Sequence, residues 1–421
     1  MNRQKKGIII SMILIFALIT SVFGAISIIE FPICTQGSSQ YGSAIYGNTV
    51  VWYDNRNGNY DIFGYDLSTS TEFPICTQGS SQYGPAIYGN TVVWYDNRNG
   101  NYDIFGYDLS TSTEFPICTQ GNDQYSPAIY GNTVVWEDYR NANPDIFGYD
   151  LSTSTEFPIC TQGNDQYSPA IYGNTVVWYD TRNGNDDIFG YDLSTSTEFP
   201  ICTQGSSQSS PAIYGNTVVW QDYRNGNADI FGYDLSTSTE FPICTQGSSQ
   251  YGPAIYGNTV VWYDNRNGNF DIFGYDLSTS TEFPICTQGS DQSDPAIYGN
   301  IVVWLDDRNG NYDIFGAILV PEGSSALTLN NPDTNKPVKP LASYRISQIQ
   351  SLLEEAQKTC YELKDENDPL YSTCCADKLD EVTEYLEMAE KFYMGGNYIA
   401  ANYWTLKALD LLQEIEECCS S

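Results

Sequence analysis

A 42-residue unit opening Phe-Pro-Ile-Cys-Thr-Gln-Gly recurs seven times, at Phe31, Phe73, Phe115, Phe157, Phe199, Phe241 and Phe283. A fixed period of about 40–45 residues marks a solenoid or propeller, because one such unit cannot bury its apolar faces alone and must stack on its neighbours. The copies are nearly identical, so the chain aligns with itself and the positions that differ become informative.

One copy reads as four short antiparallel strands. Ser43-Ala44-Ile45-Tyr46 is an apolar run ended by Gly47-Asn48, a pair suited to a tight turn with positive φ. Thr49-Val50-Val51-Trp52-Tyr53 is β-branched and aromatic, and Asp61 to Leu67 and Phe73 to Thr77 supply two further strands. Proline falls in the fourth strand (Pro32, Pro74) and just before the first (Pro85, Pro127), where no ladder donor is needed. Strands two and three are apolar on both faces, so both faces must be covered, as blades around an axis would do. The recurrent tryptophan (Trp52, Trp94 and their equivalents) is then inter-blade core rather than a sugar-stacking platform. The first copy opens with its fourth strand, Phe31 to Gln36, whereas the seventh leaves its third strand through Ile318-Leu319-Val320-Pro321 and has no outer strand of its own. The N-terminal strand is expected to close the seventh blade and remove the open edge. The expected fold is an all-β seven-bladed propeller of four-stranded antiparallel blades over residues 27–319, followed by a small C-terminal α-helical bundle.

The stretch from Tyr46 to Leu67, with its Asp-x-Arg-x-Gly-x-x-Asp-Ile hairpin (Asp54, Arg56, Gly58, Asp61, Ile62), resembles the TolB-type (PD40, WD40-like) propeller repeat and repeats of archaeal cell-envelope proteins. The resemblance covers roughly residues 28–319 and implies the propeller fold. It departs from WD40 repeats in lacking their Gly-His element. It also lacks the separate α/β domain that precedes the propeller in TolB, so a Tol–Pal role is not carried over.

Residues 1–26 carry Arg3, Lys5 and Lys6 before an apolar stretch, which reads as a signal peptide or an N-terminal membrane anchor. Either places the propeller outside the cytoplasm, secreted or at the cell surface. Residues 320–340 hold Pro321, Pro332, Pro337 and Pro340 and read as a linker. In residues 341–421 the apolar period becomes helical: Ile346, Ile349 and Leu353; Leu379, Val382 and Leu386; Ala408, Leu411, Leu412 and Ile415. Three antiparallel helices would bring Cys360, Cys374, Cys375, Cys418 and Cys419 to one end, as candidate disulfide cysteines in an oxidising compartment. Such a tail could also mediate oligomerisation. The other seven cysteines, one per outer strand from Cys34 to Cys286, are too far apart across splaying sheets to pair with one another.

The formal charge is −34, of which −27 lies between residues 27 and 319. Every base in that region is the single arginine of a blade, flanked by aspartates, so Arg56 is expected to form a structural ion pair with Asp54 or Asp61. With no lysine and no basic patch there, nucleic acid is not an expected partner. The chain has no histidine, which removes a Ser-His-Asp triad, a Cys-His dyad and imidazole-ligated metals. Paired carboxylates recur seven times, unlike an active site, and the chain is not expected to be an enzyme. No cofactor is expected. The Asp/Asn-rich hairpin leaves only a structural calcium ion open, although Arg56 stands where such a loop wants a ligand.

Differences between copies fall in two windows. One precedes the first strand: Tyr41, Tyr83, Tyr125, Tyr167, Ser209, Tyr251 and Ser293. The other flanks the hairpin between strands two and three: Tyr53, Tyr95, Glu137, Tyr179, Gln221, Tyr263 and Leu305, with Tyr60, Tyr102 and Tyr312 beyond. Both windows belong to loops on one face of a propeller, whereas the turns on the opposite face scarcely vary. Tyrosine-rich variation on one face suits recognition of protein or glycan. The sequence therefore predicts an exported cell-surface propeller that binds or scaffolds envelope protein or glycan through this face. A purely structural envelope component, assembled through its tail, is the rival.

Overall fold

A computed structural model of the chain describes residues 26–321 and scattered positions between Ile346 and Ile415. Residues 26–321 form 28 strands, β1 to β28 in chain order, in seven four-stranded antiparallel sheets. The first complete blade is β2 (Gln40–Tyr46), β3 (Thr49–Asp54), β4 (Asp61–Asp66) and β5 (Thr71–Cys76), paired in that order. Each following blade repeats this arrangement, and the first strand of every blade is innermost.

The ring closes as the register predicts, and with a longer seam. β1 (Ile26–Cys34) lies against β28 (Asp313–Pro321) in the last sheet, whose order is β1, β28, β27 (Ile301–Asp306), β26 (Gln292–Tyr298). The chain does not leave the blade at Ile318: pairing runs from Cys34 with Ile314 out to Ile26 with Pro321. Both termini of the propeller are thereby held in one sheet, with no unpaired edge where they meet.

Neighbouring blades enclose separate apolar layers. Between the first two lie Val51, Ile62, Ile75 and Cys76 from one side and Ile87, Val92, Trp94 and Phe105 from the other. Adjacent residues serve opposite layers, since Val50 packs toward the closing blade and Val51 toward the second. The seven blade tryptophans, Trp52 to Trp304, are fully buried in these layers, which fixes them as core. The seven outer-strand cysteines are buried free thiols, and burial pushes them up to about 12.

Two local features depart from the sequence expectation. The first strand begins at Gln40, and a bulge between Tyr41 and Ala44 breaks its register with β3. Pro85 and its equivalents therefore lie within the strand, at the bulge, where a missing N–H costs no ladder bond. The residue before each proline is left-handed even where it is not glycine: Ser126, Ser168, Ser210 and Asp294 have φ of 50–53°. Gly47 is left-handed as predicted, at φ 59°.

In the tail the described residues are helical, and Ile346, Ile349 and Leu353, then Val382, Leu386 and Ala389, then Ala408, Leu412 and Ile415 are buried at helical spacing. The assembly of three helices into a bundle, the linker, residues 1–25 and the five tail cysteines lie outside the described residues. Among the described residues no helix is long and apolar enough to cross a membrane.

Candidate functional site

Each hairpin between the second and third strands is tied down by its own side chains. Asp54 is fully buried at the end of β3. It accepts hydrogen bonds from the Arg56 backbone N–H at 3.0 Å and from Trp52 Nε1 at 3.1 Å, and Arg56 Nη2 lies 2.5 Å from its Oδ2. Arg56 also pairs with Glu72 on β5 and lays its guanidinium 4.0 Å from the centre of the Phe63 ring. Of the two aspartates offered to Arg56, Asp54 is the one paired; Asp61 instead accepts from Asn57 Nδ2 at 2.7 Å and Asn59 Nδ2 at 2.6 Å. Burial raises the Asp61 carboxyl, against the effect of those two amides. With both carboxylates so engaged, the hairpin is a structural clasp. In the closing blade Arg308 pairs with Asp306 and with Glu30 of β1, so the N-terminal strand completes the same clasp.

The clasp also defines the face. Asn59 donates to the carbonyls of Gln78 and Ser80, and Gln82 N–H donates to the Tyr60 carbonyl, joining one blade's hairpin to the segment before the next blade's first strand. The two variable windows thus share one face. On the other face Leu67 N–H donates to the Asn48 carbonyl, joining the two invariant turns.

On the variable face the tyrosines form a continuous arc. Tyr312, Tyr41, Tyr53, Tyr60, Tyr83, Tyr95, Tyr102, Tyr125 and Tyr139 follow one another with ring centroids 5.1–6.2 Å apart. All are partly exposed. Tyr139, on the hairpin of the third complete blade, was not singled out by the sequence, because it follows the repeated Asp rather than preceding it. The arc ends where Glu137 and Pro144 replace the tyrosines of the preceding blades. Tyr167 stacks on Tyr179 at 5.3 Å, and Tyr251, Tyr263 and Phe270 form a second, smaller group.

The windows are not independent. Tyr41 pairs with Tyr53 across β2 and β3, and the equivalent pairs are Tyr83–Tyr95, Tyr125–Glu137, Tyr167–Tyr179, Ser209–Gln221, Tyr251–Tyr263 and Ser293–Leu305. Where both tyrosines are lost, a different contact takes over: Gln221 Nε2 donates to Ser209 Oγ at 2.8 Å. Leu305 is 3% exposed and Glu137 6%, so neither offers surface to a partner. Part of the variation is thus internal packing, a coupling visible only once the strand register is known.

Nearer the axis the bulges of four blades, at Pro127, Pro169, Pro211 and Pro253, line a cavity of about 320 Å³. Glu137 accepts a 2.7 Å bond from the Ser168 backbone N–H of the next blade, and Gln221 Oε1 accepts one of 3.2 Å from Gly252. Burial raises the carboxyl of Glu137 and that of Asp294, which stands at the equivalent bulge of the closing blade. The cavity is therefore lined by left-handed bulge backbone and proline rings, with the buried Glu137 bonded to one of those bulges from the preceding blade.

The sequence matches no protein-family model and no curated protein. Solved structures do match. The oligogalacturonate lyase of Vibrio parahaemolyticus is 13% identical, with a TM-score of 0.53 over 70% of this chain and 98% of that one. The β-propeller domain of the trilobed protease from Pyrococcus furiosus, described as having an open velcro topology, is 12% identical, with a TM-score of 0.55 over 66% of this chain and 93% of that one. A puromycin-hydrolysing peptidase of Mycobacterium tuberculosis is 10% identical, with a TM-score of 0.52 over 63% of this chain and 50% of that one. A TolB-like protein of Agrobacterium tumefaciens also matches, 12% identical and with a TM-score of 0.44.

These likenesses show the fold: a seven-bladed propeller, here with a closed seam. They also correct the expectation that the chain is not an enzyme. A lyase and peptidases are built on this fold, and function lives in sites grafted on a fold rather than in the fold itself. The missing histidine excludes particular chemistries and not catalysis as such. At these identities no neighbour's activity transfers to this chain.

Proposed function

We propose that this chain is an exported binding or scaffold propeller of the cell envelope, of the archaeal envelope type that its repeats resemble. In this reading it engages an envelope protein or glycan through the tyrosine arc. The observation that carries it is the arc itself: nine partly exposed aromatic rings on one face, against invariant turns on the other. Tyrosine combines a large apolar surface with a hydroxyl, and such residues dominate recognition surfaces for proteins and stack on sugar rings. The helical tail, with its five cysteines, would dock or oligomerise the molecule at the surface, and residues 1–26 would direct or anchor it there.

The rival, a purely structural component, draws support from the coupled pairs, since Ser209–Gln221 shows that variation can serve packing alone. The same coupling supplies a test that spares the fold. Tyr83→Ser with Tyr95→Gln copies a pair the chain already tolerates in another blade. Full-length protein and this variant would be used to capture partners from solubilised envelope and on a glycan array. Capture by the parent and its loss in the variant support recognition through the arc. Equal capture by both assigns the contact elsewhere.

A further inference from the structure

At the invariant end of the propeller, Tyr46, Tyr88, Tyr130, Tyr172, Tyr214, Tyr256 and Tyr298 form a closed ring, with every neighbouring pair of ring centroids 4.6–4.8 Å apart. Seven equal steps of that size can close only around the axis. Neighbouring rings are inclined by 46–52°. A sevenfold rotation turns each blade by about 51° from the last, so ring planes standing parallel to the axis give this angle, as related strands around a closed barrel-like assembly would. The hydroxyl of Tyr214 shares hydrogen bonds with those of Tyr172 and Tyr256, and Tyr256 with Tyr298. Along this part of the ring the hydroxyls are therefore closer together than the ring centres and lean towards the axis, and the equal spacing of the ring centres carries the same placement around the remaining blades.

The chemistry of such a collar is one-sided. A phenol hydroxyl has one proton to donate and two lone pairs. In a head-to-tail chain each donor is used on the next oxygen, leaving one lone pair on each oxygen and no proton to spare. A phenol ionises only near pH 10, so at neutral pH the ring carries no charge of its own. Oxygens hydrogen-bonded at about 2.75 Å around a heptagon stand about 3.2 Å from its centre. That is beyond the roughly 2.3–2.6 Å of calcium and 2.0–2.1 Å of magnesium. Rings of neutral oxygen dipoles too wide for those ions replace the hydration shell of large monovalent cations. The field has the same sign, because Asp66, Asp108, Asp150, Asp192, Asp234 and Asp276 edge this face. The propeller has no lysine, and its seven arginines are all held in the clasps.

We propose that the tyrosine collar is an axial binding site for a large, weakly hydrated monovalent cation, of the size of potassium, rubidium or ammonium. Its ligands are phenol oxygens contributed one per blade, so occupancy depends on the ring being closed.

The test uses the full chain and rubidium chloride as the probe, with sodium chloride at equal ionic strength as the control. Expected are an anomalous scattering peak on the axis at the level of the tyrosines and a melting temperature about 2–4 °C higher in rubidium than in sodium. Tyr46→Phe/Tyr130→Phe/Tyr214→Phe keeps the rings and removes three oxygens, and it should abolish both signals. The single variant Tyr214→Phe, which breaks the hydrogen-bonded chain at one point, should weaken them. Rubidium found only at surface carboxylates, or equal melting in the two salts with no axial peak, overturns the proposal. So does a rubidium effect that survives in the triple variant.

Discussion

The seam between β1 and β28 can be tested by one substitution made at two equivalent positions. Phe31 in β1 is 7% exposed and sits opposite Gly316 of β28, so close that a Cβ on that glycine would lie 3.0 Å from the Phe31 ring. Phe157 occupies the same place over Gly148 in an inner blade. Truncating a core phenylalanine to alanine costs about 3–5 kcal/mol through lost burial and the cavity left behind. Phe31 is buried and Phe157 partly buried, so the local loss at Phe157 is no larger than at Phe31, and its consequence differs. The strand of Phe157, Thr155–Cys160, is also outermost in its blade, but a tight turn joins it to its partner and its other end runs on into the next blade, so it can open only by disrupting its blade. β1 is joined to the propeller on one side only, so it can peel away while the other blades stay folded. Phe31→Ala should raise amide exchange in β28 by roughly 10²- to 5 × 10³-fold, the equivalent of that free energy. Phe157→Ala should lower global stability without singling out its neighbouring strand, Asp145–Asp150. The assay is native-state hydrogen exchange on both variants in low denaturant. If β28 exchanges no faster in Phe31→Ala than in Phe157→Ala, β1 is not the latch, and the closure reasoning fails.

Three further outcomes follow from the same geometry. Gly148→Ala should cost about 1–3 kcal/mol by overpacking, because its Cβ would lie 2.6 Å from the Phe157 ring; urea unfolding should show partial rescue by Phe157→Leu. Glu137→Gln should keep the bond from Ser168 and be at least as stable as the parent at pH 7. Burial raises the Glu137 carboxyl, so the folded state holds that proton more tightly than the unfolded one; the parent loses this contribution as pH rises from about 4.3 through the raised value, and the variant minus parent curve should rise over that window. The seven blade thiols, raised to about 12 by burial, should resist iodoacetamide at pH 8 in the folded protein and react on unfolding, as read by mass spectrometry of the peptides from Cys34 to Cys286.

Much of this protein was legible in the order of its residues. The period, the proline positions and the two-faced apolar strands required seven stacked blades, and the displaced first strand required the termini to meet. The single arginine beside Asp54 announced an ion pair. These follow from local chemistry: alternation, turn residues and the missing donor of proline act over a few positions, and repetition multiplies the signal. The variable windows were equally visible as differences between copies. Only the tertiary structure decided what those windows are. Cross-strand register makes Tyr41 and Tyr53 partners, burial removes Glu137 and Leu305 from the surface, and the next blade's backbone is what Glu137 and Gln221 reach. The sequence likewise shows seven identical Tyr-Gly-Asn turns, and nothing in any one of them implies a ring. The collar exists because closure of the seam brings seven equivalent side chains to one axis. It is a property of the assembly of blades, and no single blade contains it.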